Sequence, residues 1–280
     1  MKKISAIAMV SILIFGLFLN FEVGIEDVSA YIPHGPIFID GNSDFANQSV
    51  IEGWAGNGSE SSPYIIENYS IDASTDIGIE IRNTDVFFII RDCWIENGMP
   101  AYKGILFHNV THGSIEDTIF YLNDGGIELI SSSNNTISFN DLQFNNLFGI
   151  YIHTNSNNNT VFYNIFSHNS DGIHLELSSD NTISNNTIGS SGDYGIYVNL
   201  DSLRNTISNN SIFKGDDGMH IEGNYNTILN NSIDSNLNDG IVIGGVSNTV
   251  FSNSVYNNSN GINGLYINNN IFKNIIYLNN

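Results

Sequence analysis

A glycine followed by an apolar residue recurs along most of this chain, and it constrains the fold more than any other feature. The steps between successive pairs are 26, 22, 23, 23, 23, 23 and 22 residues, and the pairs are Gly78-Ile79, Gly104-Ile105, Gly126-Ile127, Gly149-Ile150, Gly172-Ile173, Gly195-Ile196, Gly218-Met219 and Gly240-Ile241. A second mark, Asn-Thr followed by Ile or Val, keeps the same period. A period of roughly 20 to 50 residues indicates units that stack on copies of themselves.

Within each period the chain has three short apolar segments separated by Asn, Ser, Gly or Asp. After each glycine the apolar residues alternate with a period of two, which is typical of a strand with one buried face. Three strands per turn of about 22 residues predict an all-β protein, a right-handed parallel β-helix of about nine or ten rungs. The same register predicts one interior column made of Ile127, Ile150, Ile173, Ile196, Met219 and Ile241.

The composition supports a turn-rich solenoid. The chain has 45 Asn and 26 Gly among 280 residues, and both residue types favour turns over helix interiors. Asn at equivalent turns, such as Asn185, Asn209 and Asn230, is expected to form amide ladders between rungs. Residues 31–75 fall outside the strict repeat and are interpreted as an N-terminal cap and first rung, followed by β-helix repeats over 76–280. The last repeats show no comparable cap, which suggests end-to-end association through that rung.

Residues 1–30 have the pattern of a secretory signal peptide. Met1-Lys2-Lys3 is followed by an apolar run from Ile4 to Leu19 and by the small-residue sequence Val28-Ser29-Ala30. This pattern predicts cleavage after Ala30 and a secreted, periplasmic or cell-surface protein, with an uncleaved anchor as the alternative. No second long apolar run follows, so no membrane insertion is expected after cleavage.

The strongly negative net charge of the chain argues against nucleic acid as a partner. The net charge is -21, with 8 Lys and Arg against 29 Asp and Glu. Nucleic-acid binding depends on cationic neutralisation of phosphates, so no nucleic-acid partner is expected. Cys93 is the one cysteine, which excludes an intramolecular disulfide and is interpreted as a buried free thiol.

The outward positions of the Gly-Ile strands carry the candidate site. In the middle rungs these positions hold rings and carboxylates side by side: Tyr151, His153, Asp171, His174, Glu176, Tyr197, Asp217, His220 and Glu222. Flanking rungs have Leu106, Ile130, Val242 and Gly244 at the equivalent places. Rings stack on sugar faces and carboxylates accept hydrogen bonds from hydroxyl groups, so these residues are predicted to bind an extracellular polysaccharide or an envelope component. A solvated face that merely follows the repeat is the alternative.

At this point the residues resemble a known family. The run Asp180-Asn181-Thr182-Ile183-Ser184-Asn185-Asn186-Thr187-Ile188, followed by Gly195-Ile196-Tyr197-Val198, is similar to NosD-type right-handed β-helix proteins. These belong to a wider group of carbohydrate-binding proteins and sugar hydrolases (the CASH group). The resemblance covers most of residues 37–280 and implies the solenoid, but solenoids host many activities.

Two further functions remain open from the sequence. A polysaccharide-acting enzyme would need two carboxyl groups about 5 to 9.5 Å apart, and neither Asp217 with Asp239 nor Glu176 with Glu222 is excluded by the repeat spacing. The NosD-type resemblance implies copper delivery to a periplasmic reductase, and His174 with Glu176 offers suitable ligand types. We expect no resident cofactor, with calcium or copper as alternatives.

Overall fold

The computed structural model describes residues 31–264 and 268–279, which form an all-β right-handed parallel solenoid. Its three parallel sheets contain 11, 10 and 10 strands, which confirms the predicted fold. The first sheet contains β1 (Ile32–His34), β4 (Tyr69–Asp72), β7 (Trp94–Glu96), β10 (Ile119–Tyr121), β13 (Asp141–Gln143), β16 (Ile165–Ser167), β19 (Thr187–Gly189), β22 (Ser211–Phe213), β25 (Ser232–Asp234), β28 (Ser254–Tyr256) and β31 (Ile275–Tyr277).

The second sheet carries the candidate site on its outer face. It contains β2 (Ile37–Asp40), β5 (Ile79–Thr84), β8 (Lys103–Val110), β11 (Gly125–Ile130), β14 (Phe148–His153), β17 (Asp171–Glu176), β20 (Tyr194–Val198), β23 (Asp217–Ile221), β26 (Asp239–Ile243) and β29 (Asn260–Gly264). The third sheet contains β3 (Tyr64–Glu67), β6 (Phe88–Arg91), β9 (Gly113–Glu116), β12 (Thr136–Ser138), β15 (Thr160–Phe162), β18 (Thr182–Ser184), β21 (Thr206–Ser208), β24 (Thr227–Leu229), β27 (Thr249–Phe251) and β30 (Asn270–Phe272).

The interior column forms as predicted. In-register pairing places Ile127 beside Ile150, Ile150 beside Ile173, and Ile173 beside Ile196, and the column continues through Met219 to Ile241. All six side chains are fully buried. Each apolar side chain therefore packs on an apolar side chain one rung away, which removes apolar area from water at every turn.

Amide ladders line the corners of the solenoid, but one residue later than predicted. Asn185 has a left-handed backbone (φ 57°) at the turn, and the next residue, Asn186, has the buried side chain. Oδ1 of Asn186 accepts the backbone N–H of Asn164 at 3.0 Å, while its Nδ2 donates to the carbonyl of Val161 at 3.0 Å and to Oδ1 of Asn210 at 3.0 Å. Asn209 and Asn230 likewise precede the ladder residues Asn210 and Asn231.

A second continuous ladder comes from the asparagines of the Asn-Thr-Ile mark. Its members pass a backbone N–H to the side-chain oxygen of the next rung at 2.7 to 2.9 Å, and they are Asn135, Asn159, Asn181, Asn205, Asn226 and Asn248. Buried backbone groups at a corner need partners because strand pairing ends there. The asparagines supply those partners, which explains why the chain contains so many of them.

Residues 31–75 contain β1 to β4 and the helix α1 (Asn42–Glu52). The ring of Phe45 on this helix is fully buried and stacks on Tyr64, with ring centroids 4.9 Å apart. Gly53 ends the helix in the left-handed conformation (φ 74°), which glycine adopts without steric cost. The helix thus places an aromatic side chain against the apolar interior beside the first rungs.

Cys93 is a fully buried free thiol, as predicted. Burial away from water raises the pKa of this thiol to about 12. At the other end, apolar side chains of the last described rung are exposed, among them Ile275 and Ile276. Within residues 31–264 and 268–279, no helix combines the length and the apolar character that crossing a membrane requires. The predicted signal peptide lies outside the described residues.

Candidate functional site

The nine predicted site residues share the outer face of the second sheet. Parallel in-register pairing places Tyr151 beside His174, His174 beside Tyr197, and Tyr197 beside His220. His153 pairs with Glu176 in the neighbouring column, and Asp171 and Asp217 begin their strands on the same face. The structure therefore brings all nine together over four rungs, which the solenoid stacks about 4.8 Å apart. We call this surface the candidate face.

The first half of the candidate face is centred on Tyr151. Its hydroxyl donates to Oε2 of Glu176 on the next rung, and its ring stacks on His153 with centroids 4.2 Å apart. His174 donates from Nδ1 to Oδ2 of Asp171 at 3.0 Å. Oδ1 of Asp171 also accepts the backbone N–H of Tyr194 at 3.2 Å. These contacts connect rings and carboxylates of adjacent rungs.

The second half is centred on Tyr197. Its hydroxyl donates to Oε2 of Glu222 at 2.8 Å, and Nε2 of His220 lies 3.6 Å from Oε1 of the same glutamate. The ring of Tyr197 is in edge contact with His174 and His220, with centroids 4.6 and 5.6 Å apart. Oδ1 of Asp217 accepts the backbone N–H of Asp239 at 2.9 Å.

Two further residues belong to the candidate face and were missing from the predicted set. Glu128 accepts a hydrogen bond from Nε2 of His153 at 3.0 Å, and Tyr194 stacks on Tyr197 with centroids 5.0 Å apart. Both occupy outward positions of the same columns, so their register could have found them. His168, by contrast, follows the first-sheet strand β16 and stacks on Phe144 at 4.6 Å, and it is not part of this face.

The candidate face is neither buried nor freely solvated. The side chain of His174 is 22 % exposed and that of Glu222 is 32 % exposed. Among the described residues, Nε2 of His174 and Nδ1 of His220 are shielded from solvent and have no hydrogen-bond partner. Buried polar atoms are normally paired, so this network has hydrogen-bonding capacity that its own residues do not use.

Burial and the neighbouring carboxylates both raise the pKa values of Tyr151 and Tyr197 on the candidate face. The pKa of Tyr151 and that of Tyr197 are raised by burial and then by the hydrogen-bonded glutamate. Raised pKa values keep both phenols protonated, which suits a hydrogen-bond donor better than a general base. Burial also raises the pKa of Asp217, and the carboxylates of Asp239 and Asp216 add to that rise.

The candidate face is acidic. Between Phe148 and Ile243 the chain has two cationic residues, Arg204 and Lys214. Arg204 binds the carboxylate of Asp180 at 2.8 and 2.7 Å, and Lys214 lies at the corner that follows β22. Both lie outside the columns of the candidate face. In the part of the chain that the structure describes, no three His, Cys, Asp or Glu side chains converge as a metal-ligand set.

The sequence of residues 37–212 matches the family described as the right-handed β-helix region. This match spans more than half of the chain, and the chain belongs to that family. Among curated proteins, none matches the sequence.

Solved structures of similar fold are distant in sequence. The A-module of the mannuronan C-5 epimerase AlgE4 of Azotobacter vinelandii is 16 % identical with a TM-score of 0.62, and the match covers 74 % of this chain and 64 % of that module. The alginate lyase of Paenibacillus sp. str. FPU-7 is 13 % identical with a TM-score of 0.55, and the match covers 86 % of this chain and 99 % of the lyase. The Dettilon tailspike protein is 16 % identical with a TM-score of 0.57, covering 77 % of this chain and 50 % of that protein. This chain thus matches only part of the epimerase module and half of the tailspike. Such similarity establishes a shared solenoid and nothing about chemistry.

Proposed function

We propose that this protein binds a neutral extracellular polysaccharide along the candidate face. The observation that carries the proposal is the unbroken run of rings and carboxylates across four rungs, from Tyr151 to Glu222. Rings offer flat apolar surfaces to the faces of sugars, while carboxylates accept hydrogen bonds from their hydroxyl groups. An extended sugar chain rises by about as much per sugar as the solenoid rises per rung, so one chain can lie along the axis.

The charges of the candidate face favour an uncharged ligand. Glu128, Asp171, Glu176, Asp217 and Glu222 contribute carboxylates, and neither cation of that stretch lies among them. A uronate chain would bring further carboxylates against these and would be repelled in a half-buried setting. The alginate epimerase and alginate lyase of similar fold support polysaccharide as the ligand class, while the acidity of this face argues for a different sugar.

Affinity electrophoresis tests the proposal. The mature protein should be retarded in native gels that contain a neutral polysaccharide from a panel of hydroxyethyl cellulose, glucomannan, galactomannan and xylan, and not by alginate or polygalacturonate. The His174→Ala, His220→Ala double variant should lose retardation. A matched control, Tyr163→Ala with His112→Ala, changes two exposed rings away from the candidate face and should behave as the parent. Retardation by the uronates, or by none of the panel, would overturn the proposal.

A glycoside hydrolase is the second candidate, and one observation favours it. Asp217 and Asp239 occupy the same column one rung apart, and the pKa of Asp217 is raised. A carboxyl with a raised pKa beside a second carboxyl is an arrangement that glycosidases use as acid and nucleophile. Release of reducing ends from the retarding polysaccharide, abolished in Asp217→Asn and kept in Asp216→Asn, would establish the hydrolase. If the polysaccharide is unchanged after prolonged incubation, the protein binds it without hydrolysing it.

We also propose that the protein is exported, since residues 1–30 have the pattern of a signal peptide. Mass determination of the protein recovered outside the cytoplasm should give an N-terminus at Tyr31. A NosD-type role in copper delivery is supported by sequence resemblance alone, and it therefore ranks below carbohydrate binding. Stoichiometric copper in the purified protein would reverse that order.

A further inference from the structure

Five outward residues of the candidate face repeat every two rungs, whereas the inward column of the same sheet repeats every rung. Five outward residues recur after 46 positions with the same chemistry: Phe148 as Tyr194, Tyr151 as Tyr197, Asp171 as Asp217, His174 as His220 and Glu176 as Glu222. We call the first member of each pair part of unit 1 and the second part of unit 2. A shift of one rung, by contrast, replaces Tyr151 with His174 and His174 with Tyr197.

The contacts inside the two units recur as well. In each unit the tyrosine hydroxyl crosses to the glutamate of the next rung. In each, Oδ1 of the aspartate accepts a backbone N–H from the following rung, at 3.2 Å for Asp171 and 2.9 Å for Asp217. In each, a second ring lies against the tyrosine, with centroids 5.2 Å apart for Phe148 and 5.0 Å apart for Tyr194. The units are therefore two copies of one arrangement, about 9.6 Å apart along the axis.

The histidines show where the two copies differ. His153, which stacks on Tyr151 in unit 1, has Asn199 as its counterpart two rungs further on, so unit 2 does not have that ring. His174 donates to Asp171 in unit 1, while His220 in unit 2 turns towards Glu222. Each ring consequently leaves a different nitrogen shielded and unpaired among the described residues, Nε2 in His174 and Nδ1 in His220. Both units thus retain one hydrogen-bonding position that no described protein atom fills.

Descent from a recent 46-residue duplication does not account for this period. A duplication would also repeat the outward residues of the other two sheets. There three of the four outward positions differ two rungs apart: Phe162 is followed by Ser208 on the third sheet, and Ile165 by Ser211 and Ser167 by Phe213 on the first. The fourth position is Thr at every one of these rungs, at Thr160, Thr182 and Thr206, so it shows no two-rung period. The two-rung period is confined to the candidate face, so it reflects a requirement on that face.

We propose that the candidate face binds a polysaccharide whose contacts repeat every second sugar, with one pair of sugars on each unit. This inference rests on the proposed function. In a ribbon-like sugar chain successive sugars turn opposite edges to a flat surface, so equivalent groups return only after two sugars. Because one sugar spans about one rung, two sugars span the distance between unit 1 and unit 2. A chain with identical contacts at every sugar would instead match a period of one rung.

Binding of oligosaccharides of defined length tests the period. The probes are the fragments of two to eight sugars from whichever polysaccharide of the neutral panel retards the protein, measured by calorimetry. Fragments of two and three sugars should bind one unit with similar affinity. A fragment of four sugars should engage both units and bind at least tenfold more tightly, because the second contact becomes intramolecular. Five to eight sugars should add little more.

Variants of single units sharpen the test. Tyr151→Ala with His174→Ala should disable unit 1, and Tyr197→Ala with His220→Ala should disable unit 2. Either variant should remove the tenfold step at four sugars and lower the affinity for two sugars by no more than about twofold, since one of two sites remains. The Tyr163→Ala, His112→Ala control should keep the step. The step in the parent protein is informative even if one variant fails to fold.

The possible failures are distinct. If no neutral polysaccharide retards the protein, the proposed function itself is wrong. If binding occurs but the affinity rises evenly with each added sugar, the two-sugar period is wrong while polysaccharide binding stands. The two-sugar period is also wrong if both unit variants keep the tenfold rise in affinity at four sugars.

Discussion

The inward and the outward residues of the second sheet repeat with different periods along the solenoid. Inward positions repeat at every rung, from Ile127 to Ile241, and all are fully buried. In one outward column of the same strands Tyr and His alternate from Tyr151 to His220, and this column has Leu106 and Val242 beyond the middle rungs. Packing explains the first pattern, because each interior side chain must match its neighbours above and below. Packing does not explain the second, and that contrast is the evidence for a site.

The largest effect is expected inside. Ile173→Asp would place an unpaired carboxylate in a column with no water and no partner, at a cost of several kcal/mol. The variant should show no cooperative unfolding transition in urea. Ile165→Asp is the matched control, because Ile165 is 52 % exposed on the outer face of the first sheet, and it should change the free energy of unfolding by less than about 0.5 kcal/mol. A folded Ile173→Asp protein would contradict the interior column.

The next largest loss of stability is expected when Asn186, but not its neighbour Asn185, is replaced by Asp. In Asn186→Asp the buried side chain loses the donor that serves Val161 and Asn210, and a carboxylate then faces their oxygens. We expect a loss of about 3 kcal/mol in the free energy of unfolding. Asn185→Asp should cost less than about 0.5 kcal/mol, since the left-handed turn conformation tolerates Asp. Equal losses at the two positions would refute the assignment of the ladder to Asn186.

This pair also shows how far sequence could predict the fold. The spacing of glycines and apolar residues predicts the rungs and the interior column, because in-register stacking turns a period in sequence into neighbours in space. The same period cannot tell Asn185 from Asn186, since both recur equally. The choice is made by the backbone: a left-handed residue reverses the direction in which the next side chain points, and the ladder begins one residue later.

For the candidate face, too, the sequence predicts which residues share a column but not how their side chains pair. Column membership follows from register, so Glu128 and Tyr194 could have been included. The hydrogen bonds could not be predicted, because Tyr151 and Tyr197 reach diagonally to glutamates two positions along the next strand. Such pairings depend on side-chain rotamers, which the repeat does not determine.

An intermediate effect is expected from alkaline pH. The pKa of Cys93 is about 12 when folded and about 9 as the unperturbed thiol, so the folded state keeps a proton that the unfolded state releases. This contribution to stability is complete below pH 9 and declines as the pH rises towards 12. Between pH 8 and pH 10 the parent should lose about 1.4 kcal/mol more than Cys93→Ala in urea unfolding.

The thiol offers an independent check of the same burial. At pH 8 a thiol-specific reagent should modify Cys93 only after unfolding in urea, because the side chain is fully buried. Rapid modification of the native protein, or equal pH dependence of the parent and Cys93→Ala, would show that the interior at this rung is open to water.

The smallest effect on stability is expected on the candidate face. The double variant His174→Ala, His220→Ala removes two side chains that are about one-fifth exposed, and each already has one ring nitrogen without a partner among the described residues. The free energy of unfolding should therefore change by less than about 1 kcal/mol, measured in urea at pH 7. Retardation by neutral polysaccharide should nevertheless be lost, because each unit loses the ring that contacts its tyrosine. A variant that keeps both its stability and its retardation would mean that the outer face follows no requirement beyond the repeat, whereas a variant that loses several kcal/mol would mean that these rings serve the fold. If the double variant keeps its stability and loses its binding, the outward residues serve binding while the inward residues serve the fold.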